Sequence, residues 1–258
     1  MGAVEAALAA RLERGDEALL ATVVRRDGAP PAEVGAKLLT DRDAPLAGTL
    51  GCSEFDAAVL ADAAELFDSG TPQLRTYSHD LGTVEALLEP HRAAPLLVVA
   101  GATPVAAALQ SLAATVGLRT VLVETRPERA AAAPSAPPHL LDLGELPPRL
   151  AGRELYCVLT DHDAPDVADL VGLLLPHHPR YLGVVGSRRH VAAHIDTLRA
   201  RGVDEEQLST VRTPVGLDLG GRSAEEIALS ALAGVIAARH GRPGGWLDRP
   251  PHTPPPRD

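Results

Sequence analysis

From residue 95 onward, short apolar runs alternate with stretches long enough for helices, and no other feature limits the fold so tightly. The runs 96–100, 120–124, 155–160 and 181–185 are almost wholly apolar, so each strand must be covered on both faces. Residues 104–116, 164–175, 188–201 and 224–239 carry helical periodicity. Strand–helix alternation of this kind predicts a parallel, doubly wound sheet with helices on both sides. Ser223, with Glu226 three residues on, forms a capping box that opens the last helix.

The preceding residues follow a different pattern. A helix is expected over 4–14, with Leu8 and Leu12 on one face, and another over 55–67. Strands are expected over 18–25, 36–40 and 73–77, and the glycine turns at Gly35 and Gly48 flank a short hairpin. The fold class is therefore α/β: an N-terminal α+β domain over 1–90, then a doubly wound domain over 95–242. A hinge is expected over 89–95, a flexible loop over the alanine- and proline-rich residues 126–138, and a disordered proline-rich tail over 243–258.

The 258 residues carry a formal net charge of −10, which argues against nucleic acid or an anionic membrane as partner, so any anion site must be local. The sequence shows no signal-peptide pattern and no apolar stretch of membrane-spanning length, and a cytoplasmic protein is expected. Cys52 and Cys157 lie far apart, without the spacing of a disulfide framework or a zinc site. Cys157, inside an apolar strand, reads as core. Lys37 is the only lysine, a bias towards arginine that carries little chemistry.

Chemistry is most legible in the nine residues 181–189, Y-L-G-V-V-G-S-R-R. A buried strand breaks at Gly186, Ser187 is a natural N-cap, and Arg188 and Arg189 stand at the start of a helix. Unpaired N–H groups, the helix dipole and two guanidinium groups together form a seat for phosphate or another oxyanion. The alternative is a plain turn with solvated arginines. The glycine-punctuated loop 213–221 is expected beside this turn, where Asp218 can neutralise an arginine, meet a ligand amine or cap a turn.

The first βα turn offers Gly101 and Ala106 at the outer positions of a dinucleotide fingerprint, with Thr103 in place of the middle glycine. Glu124 follows Gly101 by 23 residues, about where an acidic residue holds a ribose hydroxyl. Two alternatives follow: an NAD(P)-dependent oxidoreductase, with His162 as proton donor, or a nucleotide-sensing module without catalysis. Asp161, His162 and Asp163 end the third strand of this sheet and suit acid–base work or a metal. The simpler reading has one aspartate capping the next helix and His162 solvated. His177 and His178 read as solvated loop residues. Cys52 precedes a helix, a position that favours a thiolate able to hold a soft metal or a sulfur-bearing ligand; equally, it reads as a small buried hydrophobe.

The blocks Y-L-G-V-V-G-S-R-R at 181–189, P-V-G-L-D-L-G at 214–220 and S-A-E-E-I-A-L-S at 223–230, in that order and spacing, resemble the xanthine dehydrogenase accessory proteins of the XdhC/CoxI type. G-A-K-L-L at 35–39 and G-T-L-G-C at 48–52 add to the likeness. The resemblance implies a Rossmann-like second domain and a homodimer. It also implies an accessory protein, more a chaperone than a turnover enzyme. Such a protein binds molybdenum cofactor (molybdopterin), protects it during sulfuration by a cysteine desulfurase, and delivers it to the large subunit of a molybdenum hydroxylase. By that analogy Cys52 is a candidate contact for molybdenum or its sulfur. Gly186, Ser187, Arg188 and Arg189 would then receive the phosphate of the pterin or of a nucleotide.

Overall fold

A computed structural model of the chain describes residues 2–132, 139–140, 142–150 and 152–248. It divides into two compact units, one ending at Ala94 and the other starting at Pro95.

Unit 1 contains α1 (Ala3–Arg14), β1 (Ala18–Gly28), β2 (Lys37–Thr40), β3 (Pro45–Gly48), α2 (Ser53–Ser69), β4 (Gln73–His79) and β5 (Gly82–His91). The strands form an antiparallel sheet in the order β3-β2-β1-β5-β4. Phe55, Val59, Ala63, Leu66 and Phe67 recur at helical spacing and put one face of α2 into a core with Leu19, Ala21 and Val23 of β1. The opposite sheet face, with Ala18, Leu20 and Leu39, is covered by Val4, Ala7 and Leu8 of α1. Residues 89–91, expected in a hinge, instead end β5. Val84, Ala86 and Leu88 alternate inward, and Pro90 still pairs with Leu19 of β1. Pairing with β4 stops at Leu88, so the missing N–H of Pro90 falls on a free edge.

Unit 2 contains β6 (Leu96–Ala100), α3 (Pro104–Thr115), β7 (Arg119–Val123), α4 (Pro127–Ala132), β8 (His139–Leu140), α5 (Pro147–Leu150) and β9 (Leu155–Leu159). There follow α6 (Val167–Leu174), β10 (Tyr181–Val184), α7 (Arg188–Ala200), α8 (Glu205–Ser209), β11 (Val211–Arg212) and α9 (Ala224–Arg239). All ladders are parallel, and the order β8-β7-β6-β9-β10-β11 is the doubly wound 3-2-1-4-5-6 arrangement. Alternation along the strands feeds two cores. Leu96, Val98, Cys157 and Leu159 face α6 and α7, whereas Leu97, Val99, Tyr156 and Val158 face α3 and α9. Each fully buried Leu or Val contributes about 1.5–3 kcal/mol, which makes this central pair of strands the rigid base of the carboxyl edge.

Part of the stretch expected as a flexible loop, 126–138, is helix α4, with Pro127 in its first turn; residues 133–138 lie outside the described residues. Of the tail expected to be disordered, 243–248 contains turns and no helix or strand, and 249–258 lies outside the described residues. No helix among the described residues is long and apolar enough to cross a membrane.

Candidate functional site

The strand order reverses between β6 and β9, and there the loops after both strands are tied together. Thr160 Oγ accepts from Thr103 Oγ at 2.9 Å and points its own proton at the Ala100 and Gly101 carbonyls, at 2.8 and 2.9 Å. Thr103 also caps α3 by accepting from the Ala106 amide. Gly101 adopts φ 90°, and a Cβ there would come within 2.9 Å of Asp161 Cβ. Its role is thus to let two loops approach closely.

Glu124, buried at the end of β7, does not wait there for a ribose. Its Oε1 accepts from the Arg126 amide and Nε, and its Oε2 from the Ala102 amide and Arg126 Nη2, at 2.7–3.1 Å. Every favourable acceptor direction of the carboxylate is in use. Burial by itself raises the Glu124 carboxyl, but the bonds from Arg126 and Ala102 outweigh it and hold it below the usual carboxylate range. Arg126 Nη2 continues to Asp161 Oδ2 at 2.8 Å, which also accepts from Arg129 Nη1 at 2.7 Å. The cavity under this network, lined by Gly101, Glu124, Arg126 and Asp161, measures about 10 Å³, room for about one water.

Asp161 Oδ1 also accepts from the Asp163 amide, closing a turn. Neither residue caps the following helix as expected; Asp166 occupies the N-cap of α6 and accepts from Thr125 Oγ. Nor is His162 simply solvated. Its ring stacks on His190 with centroids 5.0 Å apart, and its carbonyl meets His194 Nε2 at 2.8 Å.

That ring explains Gly186. With φ 137°, a Cβ at this position would sit 3.0 Å from His162 Cγ. The turn therefore packs against the loop after β9, and Ser187 then caps α7 through the His190 amide. Arg188 and Arg189 are exposed, and among the described residues neither has a carboxylate within ion-pairing distance. Thr213 Oγ donates to the Gly186 carbonyl at 3.1 Å, so loop 213–221 does lie beside the turn. Buried Tyr181 fixes the same loop by accepting from the Gly216 amide at 2.7 Å. Gly216 is required because any Cβ would overlap Ser230 of α9. Asp218 is exposed and forms no ion pair with an arginine among the described residues. A groove of about 370 Å³, lined by Arg188, Ile195, Leu208, Thr213 and by Arg199 with its ion-pair partners Asp196 and Glu205, opens next to the turn.

In unit 1, Gly51 (φ 124°) presses against the Pro31 carbonyl where no Cβ fits, and Asp56 holds the same loop through the Leu50 amide and Thr49 Oγ. This places Cys52, half-buried, at the N-cap of α2. Cys157 is core, and burial pushes its thiol up. Lys37 pairs with Glu5 of α1 at 2.6 Å. Arg126, Arg129 and Thr160 were not singled out in the sequence: Arg129 and Thr160 meet partners far along the chain, and Arg126 joins Asp161, 35 residues on, to its near neighbour Glu124.

The model of the XdhC Rossmann domain matches residues 97–235, and that of the XdhC and CoxI family matches residues 11–78. The chain is 26% identical to the uncharacterized protein YqeB of Escherichia coli (strain K12), with 90% of this chain aligned but only 46% of YqeB, so it spans about half the length of that relative. Among solved structures, a xanthine dehydrogenase from Bacillus halodurans covers 97% of this chain and 98% of its own, at 18% identity and TM-score 0.47. An NAD-bound short-chain dehydrogenase/reductase superfamily protein from Agrobacterium tumefaciens covers 58% of this chain and 46% of its own, at 19% identity and TM-score 0.26.

Proposed function

The chain belongs to the XdhC and CoxI family, and on that premise we propose that it serves as an accessory protein to a xanthine dehydrogenase-type molybdenum hydroxylase, binding molybdenum cofactor as cargo. The observation that carries the reading is the unpaired Arg188–Arg189 couple at the capped start of α7. Two exposed guanidinium groups and the free amides of a first helical turn suit the phosphate of a pterin. The adjoining groove, about 370 Å³, falls within the range of small-molecule sites. Asp218, on the loop that Thr213 and Tyr181 hold nearby, offers an acceptor for the ring amino groups. In the same reading a cysteine desulfurase supplies the sulfur, and the protein works as a homodimer.

Replacing Arg188 and Arg189 by alanine removes two charge-assisted contacts, each worth about 1.5–3 kcal/mol. Molybdopterin affinity, measured by fluorescence quenching or calorimetry, is expected to fall at least tenfold; unchanged affinity refutes the phosphate seat. The 3-2-1-4-5-6 strand order favours a second reading, a nucleotide-binding module. Against it stand Thr103 at the middle fingerprint position and the filled acceptor directions of Glu124. Calorimetry with NADH and NADPH separates the two: micromolar binding together with indifference to molybdopterin supports the module.

A further inference from the structure

We propose that unit 1 holds a mononuclear site for a borderline-soft divalent cation, zinc by ligand chemistry, formed by Cys52, Glu54 and His79. One ligand atom from each residue lies within 4.8 Å of the other two. Around a tetrahedral Zn²⁺, bond lengths of about 2.0–2.3 Å put neighbouring ligand atoms roughly 3.4–3.6 Å apart. His79 Nε2 and Glu54 Oε2 already stand at 3.5 Å. Sulfur, imidazole and carboxylate together select zinc over magnesium or calcium, which prefer all-oxygen shells.

Two of the ligands are held by the fold. Cys52 is placed by the Gly51–Pro31 contact, and the Cys52-Ser53-Glu54 spacing puts the carboxylate in the first turn of α2. His79 comes from the last residue of β4, which is pinned to α2 by Tyr77 Oη on Asp62 and by Arg75 on the same carboxylate. Its ring lies against Phe55, centroids 5.8 Å apart, and its Nδ1 accepts from the Leu81 amide at 3.1 Å. Glu54 is the exposed member and has room to swing onto an ion.

On binding through Nε2, the cation displaces the Cys52 thiol proton to solvent, and the imidazole proton moves to Nδ1. The Leu81 amide, in an exposed turn, then turns to water. Three protein ligands leave a fourth position for water or for a sulfur- or oxygen-bearing ligand. A cation held here takes up the Cys52 thiolate that the family likeness offers to molybdenum, so the two roles of Cys52 are alternatives; the cation is read out without molybdenum cofactor.

The test is titration of the full chain with Co²⁺ as a spectroscopic stand-in, followed by competition with Zn²⁺. A thiolate-to-cobalt charge-transfer band is expected, and it reports Cys52 because Cys157, the other cysteine, is fully buried. Cys52→Ser is expected to abolish the band. His79→Gln and Glu54→Gln are each expected to weaken Co²⁺ binding by at least about tenfold, the loss that even an outer-sphere change produces at metal sites. Glu54 is exposed, so its variant tests binding without burdening the fold. Absence of the band in the wild-type chain, or affinities unaltered in both the His79 and Glu54 variants, overturns the site.

Discussion

At the β6–β7–β9 side of the parallel sheet's carboxyl edge, Arg126 and Arg129 close on Glu124 and Asp161. At the β10 side, Arg188 and Arg189 have no ion-pair partner among the described residues. The same residue types thus serve opposite ends. Arg126 of the first group helps fill the crevice beneath Gly101 and Glu124 down to about 10 Å³, whereas Arg188 of the second lines a groove of about 370 Å³. A pocket of similar volume, about 370 Å³, lies on the α3 flank of the first group, lined by Thr103, Gln110 and the already paired Arg129. Strand order alone would place a ligand at the switch point between β6 and β9. The charges point instead one strand further along, because a buried carboxylate that has satisfied its acceptors internally has little left to offer a ligand.

If this contrast is right, substitutions on the two sides rank differently in stability. Glu124→Ala should cost most, about 3 kcal/mol, since it removes one partner of a buried pair, leaving Arg126 with Asp161 alone and the Ala102 amide without its acceptor; urea denaturation measures it. Gly186→Ala should cost about 1–3 kcal/mol, because φ 137° and the 3.0 Å approach to His162 both oppose a Cβ. Ser187→Ala should cost about 0.5–1 kcal/mol through the lost cap, seen as a small drop in melting temperature. The Arg188→Ala/Arg189→Ala double variant should stay within about 0.5 kcal/mol of wild type, yet lose the most affinity for a phosphate-bearing ligand. A double variant that unfolds markedly more easily would mean that these arginines are structural after all.

Acid sharpens the same contrast. The folded state holds the Glu124 carboxyl below its unfolded value, so its contribution is present above the ordinary carboxylate range and is lost as pH falls through the lower, folded value. Denaturation over a pH series should therefore show a shallower acid loss in Glu124→Gln than in the wild-type chain. An identical acid slope in both would show that the carboxylate is not stabilised by Arg126 and Ala102.

Much of the fold could be read along the chain. The strands of unit 2 were legible as unbroken apolar runs, and the caps Ser187 and Ser223 lie within three residues of the amides they receive. Strand β5 was hidden because Glu89 and Pro90 look like breakers, although the Val84–Ala86–Leu88 alternation was there to be found. Helix α4 was hidden by its alanine- and proline-rich surroundings. At the candidate site, Gly186, Ser187 and the proximity of loop 213–221 were legible, whereas the fate of Glu124 was not: nothing in Glu124-Thr125-Arg126 reveals that the arginine folds back onto the carboxylate.

The sequence by itself determined the strand–helix alternation of unit 2, the two-sided burial of its parallel strands and the capped turn carrying two arginines. All of these follow from short-range periodicity, steric limits on the backbone and local hydrogen bonding. Only the tertiary structure decided which charges neutralise one another and which ligands converge. Asp161 reaches Arg126 because β9 and β7 flank β6, and His79 reaches Cys52 because β4 packs on α2. Contacts between residues tens of positions apart depend on how whole elements pack, and that is set by the shared burial of their apolar faces rather than by the polar residues they bring together.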